Sequence, residues 1–301
     1  MSQLTSLWHY LNSSQNVSTA IVGVAASFAG AWGAQIAIFR RDQRREVVAT
    51  LRATNAAQAL CFSIGNSFMA LKKQHLIGML VRFREMENQF EEFMAKRQAA
   101  KEGEQQEKFL FQADLHTLPI SKVPMDRLES IVFEKLTLDT KTLSLAIAVS
   151  TAIDALNTST ASRNDMITKW YEGPARPDDE ILIRYLGIPF EGGADEKYKQ
   201  TLFAIESYCN DCIHFCRELA EALTKHGQGV RRKYRHHIFW RLPKVAKADY
   251  SAPEVQALLP DPKEYEQWHK GFASEPTKWE MIKDFCSRKK KVATPPKDPE
   301  T

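Results

Sequence analysis

The chain has 301 residues, 44% of them hydrophobic and 26% charged, with a formal net charge of +4 at pH 7. This balance excludes a wholly disordered chain and leaves room for one large or two modest folded units with a true core. A surplus of four charges is too small to mark a nucleic-acid-binding protein on its own, so where the charges fall matters more than their sum.

No Asp, Glu, Lys or Arg precedes Arg40, and residues 17–39 form an almost wholly apolar run that ends against Arg40, Arg41, Arg44 and Arg45. As a helix the run spans about 35 Å, enough to cross a hydrocarbon core of about 30 Å with modest tilt. Its Val, Ile and Phe residues supply roughly 2.5 to 5 kcal/mol in favour of insertion, opposed by Gln35, Ser18, Ser27 and several glycines. A cleaved signal peptide would carry positive charge ahead of its apolar run, and a core helix of a soluble protein does not explain the uncharged leader. The pattern therefore predicts a single transmembrane helix over 17–39.

Positive charge beside a span resists translocation. The expected location is the plasma (inner) membrane, with residues 1–16 as a short extracytoplasmic leader, Trp8 and Tyr10 near the outer headgroups, and the rest of the chain in the cytoplasm. Within the span, Gly23, Ala26, Ser27, Gly30 and Ala34 set small residues four apart in two rows. That spacing lets helices approach closely in lipid, so a homo-oligomer is expected.

Residues 41–100 contain no proline and keep apolar residues at helical spacing, with Ala57, Cys61, Ile64, Phe68 and Leu71 followed by Met79, Phe83, Met86, Phe90 and Phe93. They predict one long helix, or two nearly collinear ones. Residues 101–106 are polar and predict a fraying turn region that ends at Pro119. Pro124 suits the first turn of the next helix, with Leu128, Ile131, Val132 and Leu136 inward. A helix is predicted from Asp139 to Tyr171, and its run from Leu143 to Ile153 is apolar on nearly every side, which reads as the central helix.

Asp178 starts a short helix that stops at Gly187-Ile188-Pro189. The next predicted helix runs from Asp195 to His226, where Gly227 terminates it, and turns Ile205, Cys209, Cys212, Cys216, Leu219 and Leu223 inward. Short helices then open at Pro253 and Pro262, a last helix covers 275–290, and residues 292–301 read as a disordered tail. No alternating strand pattern stands out. The expected fold is all-α: one N-terminal transmembrane helix, then a cytoplasmic antiparallel bundle with long helices over 40–226 and a basic short-helix region over 227–291.

Five cysteines, three of them crowded as Cys209, Cys212 and Cys216, make a poor disulfide framework and fit a reducing compartment. Those three with His214 resemble metal ligands, but one straight helix cannot wrap a tetrahedral ion at such spacings, so neither metal nor cofactor is expected. His226, His236 and His237 lack a neighbouring carboxylate or nucleophile motif, and no catalytic residue is assigned. A basic stretch is the better clue. Residues 225–247 hold eight Lys or Arg and no acid, and Arg231, Arg232, Lys233, Arg235 and Arg241 interleave with Tyr234 and Trp240 as a surface for phosphate-bearing partners. If the helices alternate up and down from residue 41, this patch falls at the end of the bundle away from the membrane, which favours an anionic macromolecule or protein over lipid.

The leading expectation is thus a single-pass, self-associating scaffold or sensor, with the bilayer, a second copy and an anionic partner as its contacts. A pore-forming effector, with Gln35 facing a lumen, and a membrane-tethered enzyme or nucleic-acid-binding effector are the alternatives.

Overall fold

The computed structural model describes residues 14–100, 108–172, 178–190, 193–237 and 240–271. Trp8, Tyr10 and most of the leader, the 101–106 turn region, the helix expected over 275–290 and the tail lie outside the described residues.

The protein is predominantly helical, with almost no strand. Helix α1 (Ser14–Leu71) continues through a π turn (Lys72–Leu76) into α2 (Ile77–Ala99), and the junction residues Leu71 and Ile77 keep helical angles. The apolar segment 17–39 and the long helix expected after it are therefore one rod, with an axis of about 130 Å. Its core positions explain the π turn. Val47, Leu51, Thr54, Gln58, Cys61, Gly65 and Phe68 are buried at alternating steps of four and three, and the alternation resumes at Leu76, Met79, Phe83 and Met86. From Phe68 to Leu76 there is one residue too many for that rhythm, and a π turn absorbs a single extra residue without breaking the helix.

The return leg is mostly extended. Phe109 packs on Phe90 and Phe93, both at 5.3 Å between ring centroids, so the chain turns back at the far end of α2. Residues 108–124 then run along α4 (Thr140–Glu172) in the opposite direction and lead into the short helix α3 (Met125–Glu134). An extended segment on a helix surface has no ladder for its backbone, and side chains of α4 supply one. Asn164 accepts from the Leu118 amide at 2.9 Å and donates to its carbonyl at 2.7 Å. Asn157 does the same to Ser121, at 3.1 and 3.2 Å. Arg163, fully buried, donates to the carbonyls of His116 (2.7 Å) and Asp114 (3.2 Å) and to the Tyr198 hydroxyl (3.0 Å).

After α5 (Asp178–Leu186), Gly187 adopts φ +70° and the Ile188 amide donates to the Ile183 carbonyl at 2.9 Å. This is the glycine stop read in the sequence. Strands β1 (Pro189–Phe190) and β2 (Gly193–Ala194) pair antiparallel; at two residues each they are too short to leave an alternating pattern. Helix α6 (Lys197–Lys233) follows. It runs antiparallel to α1 and α2, since Gly65 faces Cys216, Gln58 bonds Thr224 and Lys72 bonds Asn210. It is also antiparallel to α4, with Trp170 against Tyr198 at 5.2 Å at one end and Asp139 beside His226 at the other.

Two expectations change here. The central helix is α6, not α4: Cys212 to Cys216 are buried at five consecutive positions, while Ile147, in the middle of the α4 apolar run, is 55% exposed. Helix α6 also passes through Gly227 instead of ending at His226. A Cβ there would sit 3.1 Å from Thr54 and Val245, so the glycine permits a close helix crossing and does not act as a stop.

Beyond α6 the chain turns and runs back up the outside of α1. Asn55 repeats the asparagine clamp, donating to the Lys244 carbonyl at 2.8 Å and accepting from the Ala246 amide at 3.1 Å. Tyr250 then packs on Phe62, and Lys72 reaches the Leu258 carbonyl at 2.9 Å, past the short helix α7 (Pro253–Gln256). The chain divides into two compact units at Leu258 and Leu259. In the second, Asp261 caps a 3₁₀ turn (Pro262–Tyr265) by accepting from the Lys263 amide at 3.0 Å, and α8 (Glu266–Lys270) follows.

Buried polar contacts give the first unit a pH dependence. Burial pushes the Asp114 carboxyl up, but hydrogen bonds from His116 (2.8 Å) and Arg82 (2.9 Å from Nε) outweigh it and hold it below its ordinary value of 3.8. A depressed carboxyl adds stability that is present above its unfolded pKa and lost as pH falls through the folded one. Asp114→Asn is expected to lower stability by about 1 to 2 kcal/mol at pH 7, since Arg82 and His116 are largely exposed. In urea titrations at a series of pH values, the gap from wild type should close below pH 3.8; a gap constant with pH contradicts the assignment.

Candidate anionic interface at the base of the bundle

The directions of α6 and of the strap after it fix where the basic stretch lies. Gly227 is level with Thr54, and Lys244 to Ala246 are level with Asn55. Whatever joins them must hang below Thr54, toward Arg40. Six helical residues beyond Gly227, Lys233 comes level with residues near 48, about 12 Å along the axis from Arg40. The His237 imidazole is held below its ordinary pKa by local desolvation first, then by the positive charges of His236 and Arg40. The basic stretch is therefore beside the arginines that follow the apolar segment, not at the opposite end. The up-and-down count expected from the sequence slipped by one leg, because 108–136 is itself the return and is largely not helical.

At this end Gln228, Arg231, Arg232, Tyr234, Arg235, His237 and Trp240 line an open cleft of about 590 Å³. Tyr234, His237 and Trp240 form one wall as near-parallel rings, 4.2 Å and 15° apart for His237 and Trp240 and 6.1 Å and 23° for Tyr234 and His237. The Lys233 ammonium lies 5.6 Å from the Tyr234 ring centroid. Arg231, Arg232, Arg235 and Arg241 pair with no carboxylate among the described residues. A second cleft of about 490 Å³ shares Tyr234 and is lined by Glu46, Thr50, Lys135, His226 and Lys233. On α1, Arg45 is partnered by Asp42 at 3.7 Å. Chemically, this end offers several unneutralised guanidinium groups beside flat aromatic faces, which suits phosphate oxygens attached to a partly apolar body.

The apolar segment shows the other half of the arrangement. Among the described residues α1 carries the one stretch long and apolar enough to cross a membrane, by length and composition, and none of that stretch is buried. Ile21, Val22, Val24, Phe28, Trp32, Ile38 and Phe39 all point away from the protein, Phe28 at 78% exposure. The Ser27 hydroxyl donates to the Gly23 carbonyl at 2.8 Å, so its polarity is satisfied inside the helix. A Cβ added at Gly23, Gly30 or Gly33 would touch nothing within 4 Å; the rows of Ala26, Ser27 and Ala34 share this uncovered rod.

The four described cysteines carry no reactive signature. Cys61, Cys209, Cys212 and Cys216 are buried thiols in the α1–α6 interface, and Cys209 donates to the Phe68 carbonyl at 3.5 Å. Burial pushes Cys61 and Cys209 up to about 12 and Cys212 and Cys216 higher still, so they stay protonated at neutral pH. Cys286 lies outside the described residues.

Sequence reading took Asn55 only as a sign of a packing surface and missed that it, Asn157, Asn164 and Arg163 hold the extended legs in place. Arg163 had a usable signal: it falls in the buried register of Leu145, Val149, Ala152, Leu156, Thr160 and Ile167. No protein-family model, no curated protein and no solved structure matches the chain.

Proposed function

We propose that this chain is a single-pass membrane protein, anchored by residues 17–39, whose helical bundle works on the cytoplasmic side as an interaction or sensor module. One observation carries the reading: a long apolar stretch, with Ile21, Val22, Val24, Phe28, Trp32, Ile38 and Phe39 all exposed, is not buried by the described residues, yet is continuous with a helix whose next turns are core. Water penalises such exposure, and a bilayer relieves it. The arginines that close the stretch, joined by those around the α6 end, favour the orientation with the leader outside.

Self-association in lipid is a second reading, favoured by the uncovered glycine face of the span. The position of the basic stretch beside Arg40 weakens the nucleic-acid alternative, because a polymer would have to enter between the bundle and the membrane.

Protease added to inverted inner-membrane vesicles is expected to digest the chain beyond Arg40 and leave only a short protected N-terminal fragment. Full protection in inverted vesicles, with cleavage in right-side-out ones, overturns the orientation.

A further inference from the structure

We propose that the cleft formed by Arg231, Arg232 and Arg235 and by the Tyr234, His237 and Trp240 wall binds the phosphate-bearing headgroup of an anionic phospholipid in the leaflet from which the span emerges. The inference rests on the membrane reading above and adds to it a specific ligand class and site.

Three features of this end of the bundle converge on it. The first is position: the cleft hangs below the Thr54 and Gly227 crossing, within about 12 Å of the residue that ends the apolar segment, where a lipid phosphate layer begins. The second is charge. Residues 225–247 carry no acid, and the cleft arginines have no carboxylate partner among the described residues, so an anion entering the cleft displaces no internal ion pair. Arginine forks also match phosphate oxygens bidentately. The third is the aromatic wall. Tyr and Trp rings favour the headgroup level of a bilayer, where one edge is wet and the face is apolar. A charged solubilising loop would need no such stacked rings, and a nucleic acid would need an approach that the membrane end does not leave open.

The test uses the full-length protein in neutral detergent, titrated with short-chain phosphatidylglycerol, short-chain phosphatidylcholine, inorganic phosphate and a single-stranded RNA oligonucleotide. Binding is followed by tryptophan fluorescence and calorimetry. Phosphatidylglycerol is expected to bind at least tenfold more tightly than phosphatidylcholine or phosphate, with affinity falling as salt rises. The Arg231→Glu, Arg232→Glu, Arg235→Glu variant should weaken binding about 100-fold, and Trp240→Ala should weaken it with charge intact.

Because these residues are at the surface, circular dichroism should be unchanged; if the triple variant misfolds, Arg231→Gln with Arg235→Gln replaces it and should still lose binding. Equal affinity for the two lipids, an unaltered charge-reversal variant, or tighter binding of RNA overturns the proposal, and phosphate matching the lipid shows an ion site only. None of these outcomes depends on insertion, so failure here is distinguishable from failure of the membrane reading.

Discussion

Val24→Asp combined with Phe28→Asp is expected to move the protein from the membrane pellet into the alkaline-carbonate supernatant. The two positions lie one turn apart on the same face of α1, both fully outside the core. Each carboxylate at the middle of a span costs about 2.5 to 3.5 kcal/mol, so the pair costs about 5 to 7, more than the roughly 2.5 to 5 kcal/mol that the apolar residues contribute. Since neither residue touches the bundle, the thermal unfolding of the body should not move. A double variant that stays in the pellet after carbonate washing, or a body that melts lower, would show that the segment is held by protein and not by lipid.

Arg163→Met is expected to be the most destabilising single change in the bundle. The guanidinium is 0% exposed, makes three hydrogen bonds to the 108–124 leg and to α6, and lies 5.4 Å from the Tyr198 ring centroid. Methionine fills much of the volume but removes three hydrogen bonds from a cationic donor and leaves the His116 carbonyl without its partner, while Tyr198 still donates to the Asp114 carbonyl at 3.3 Å; the loss is about 2 to 4 kcal/mol in all. For a folded unit of this size that lowers Tm by about 10 °C, readable by circular dichroism. Arg163→Lys should fall nearly as far, because one ammonium cannot reproduce a fork that reaches the carbonyls of Asp114 and His116 at once. Full rescue by lysine would mean that charge alone, and not the fork, holds the leg down.

The helices were legible wherever apolar spacing was long and regular. Residues 41–100 read as one long helix or two nearly collinear ones because Cys61, Ile64, Phe68, Met79 and Phe83 keep helical spacing on what is its buried face, and the glycine at 187 read as a stop, where its φ is positive. The same reasoning failed at Gly227, where a glycine makes room for Thr54 and Val245; nothing local separates the two roles.

The extended legs were illegible for a different reason. Residues 108–124 and 240–250 have no period of their own, since their backbone is satisfied by Asn164, Asn157 and Asn55, which are distant in sequence. Missing that return leg reversed α6 and put the basic stretch at the wrong end. The residues of the candidate interface were visible from composition, whereas their place beside Arg40 needed the tertiary register.

The direct test is a nitroxide label at Phe28 in the full-length chain reconstituted in lipid vesicles, with its relaxation read against oxygen and a water-soluble nickel chelate. Oxygen should dominate strongly at Phe28, and the preference should reverse for a label at Arg44. Nickel dominating at Phe28 would contradict insertion of residues 17–39, and with it the anchored bundle.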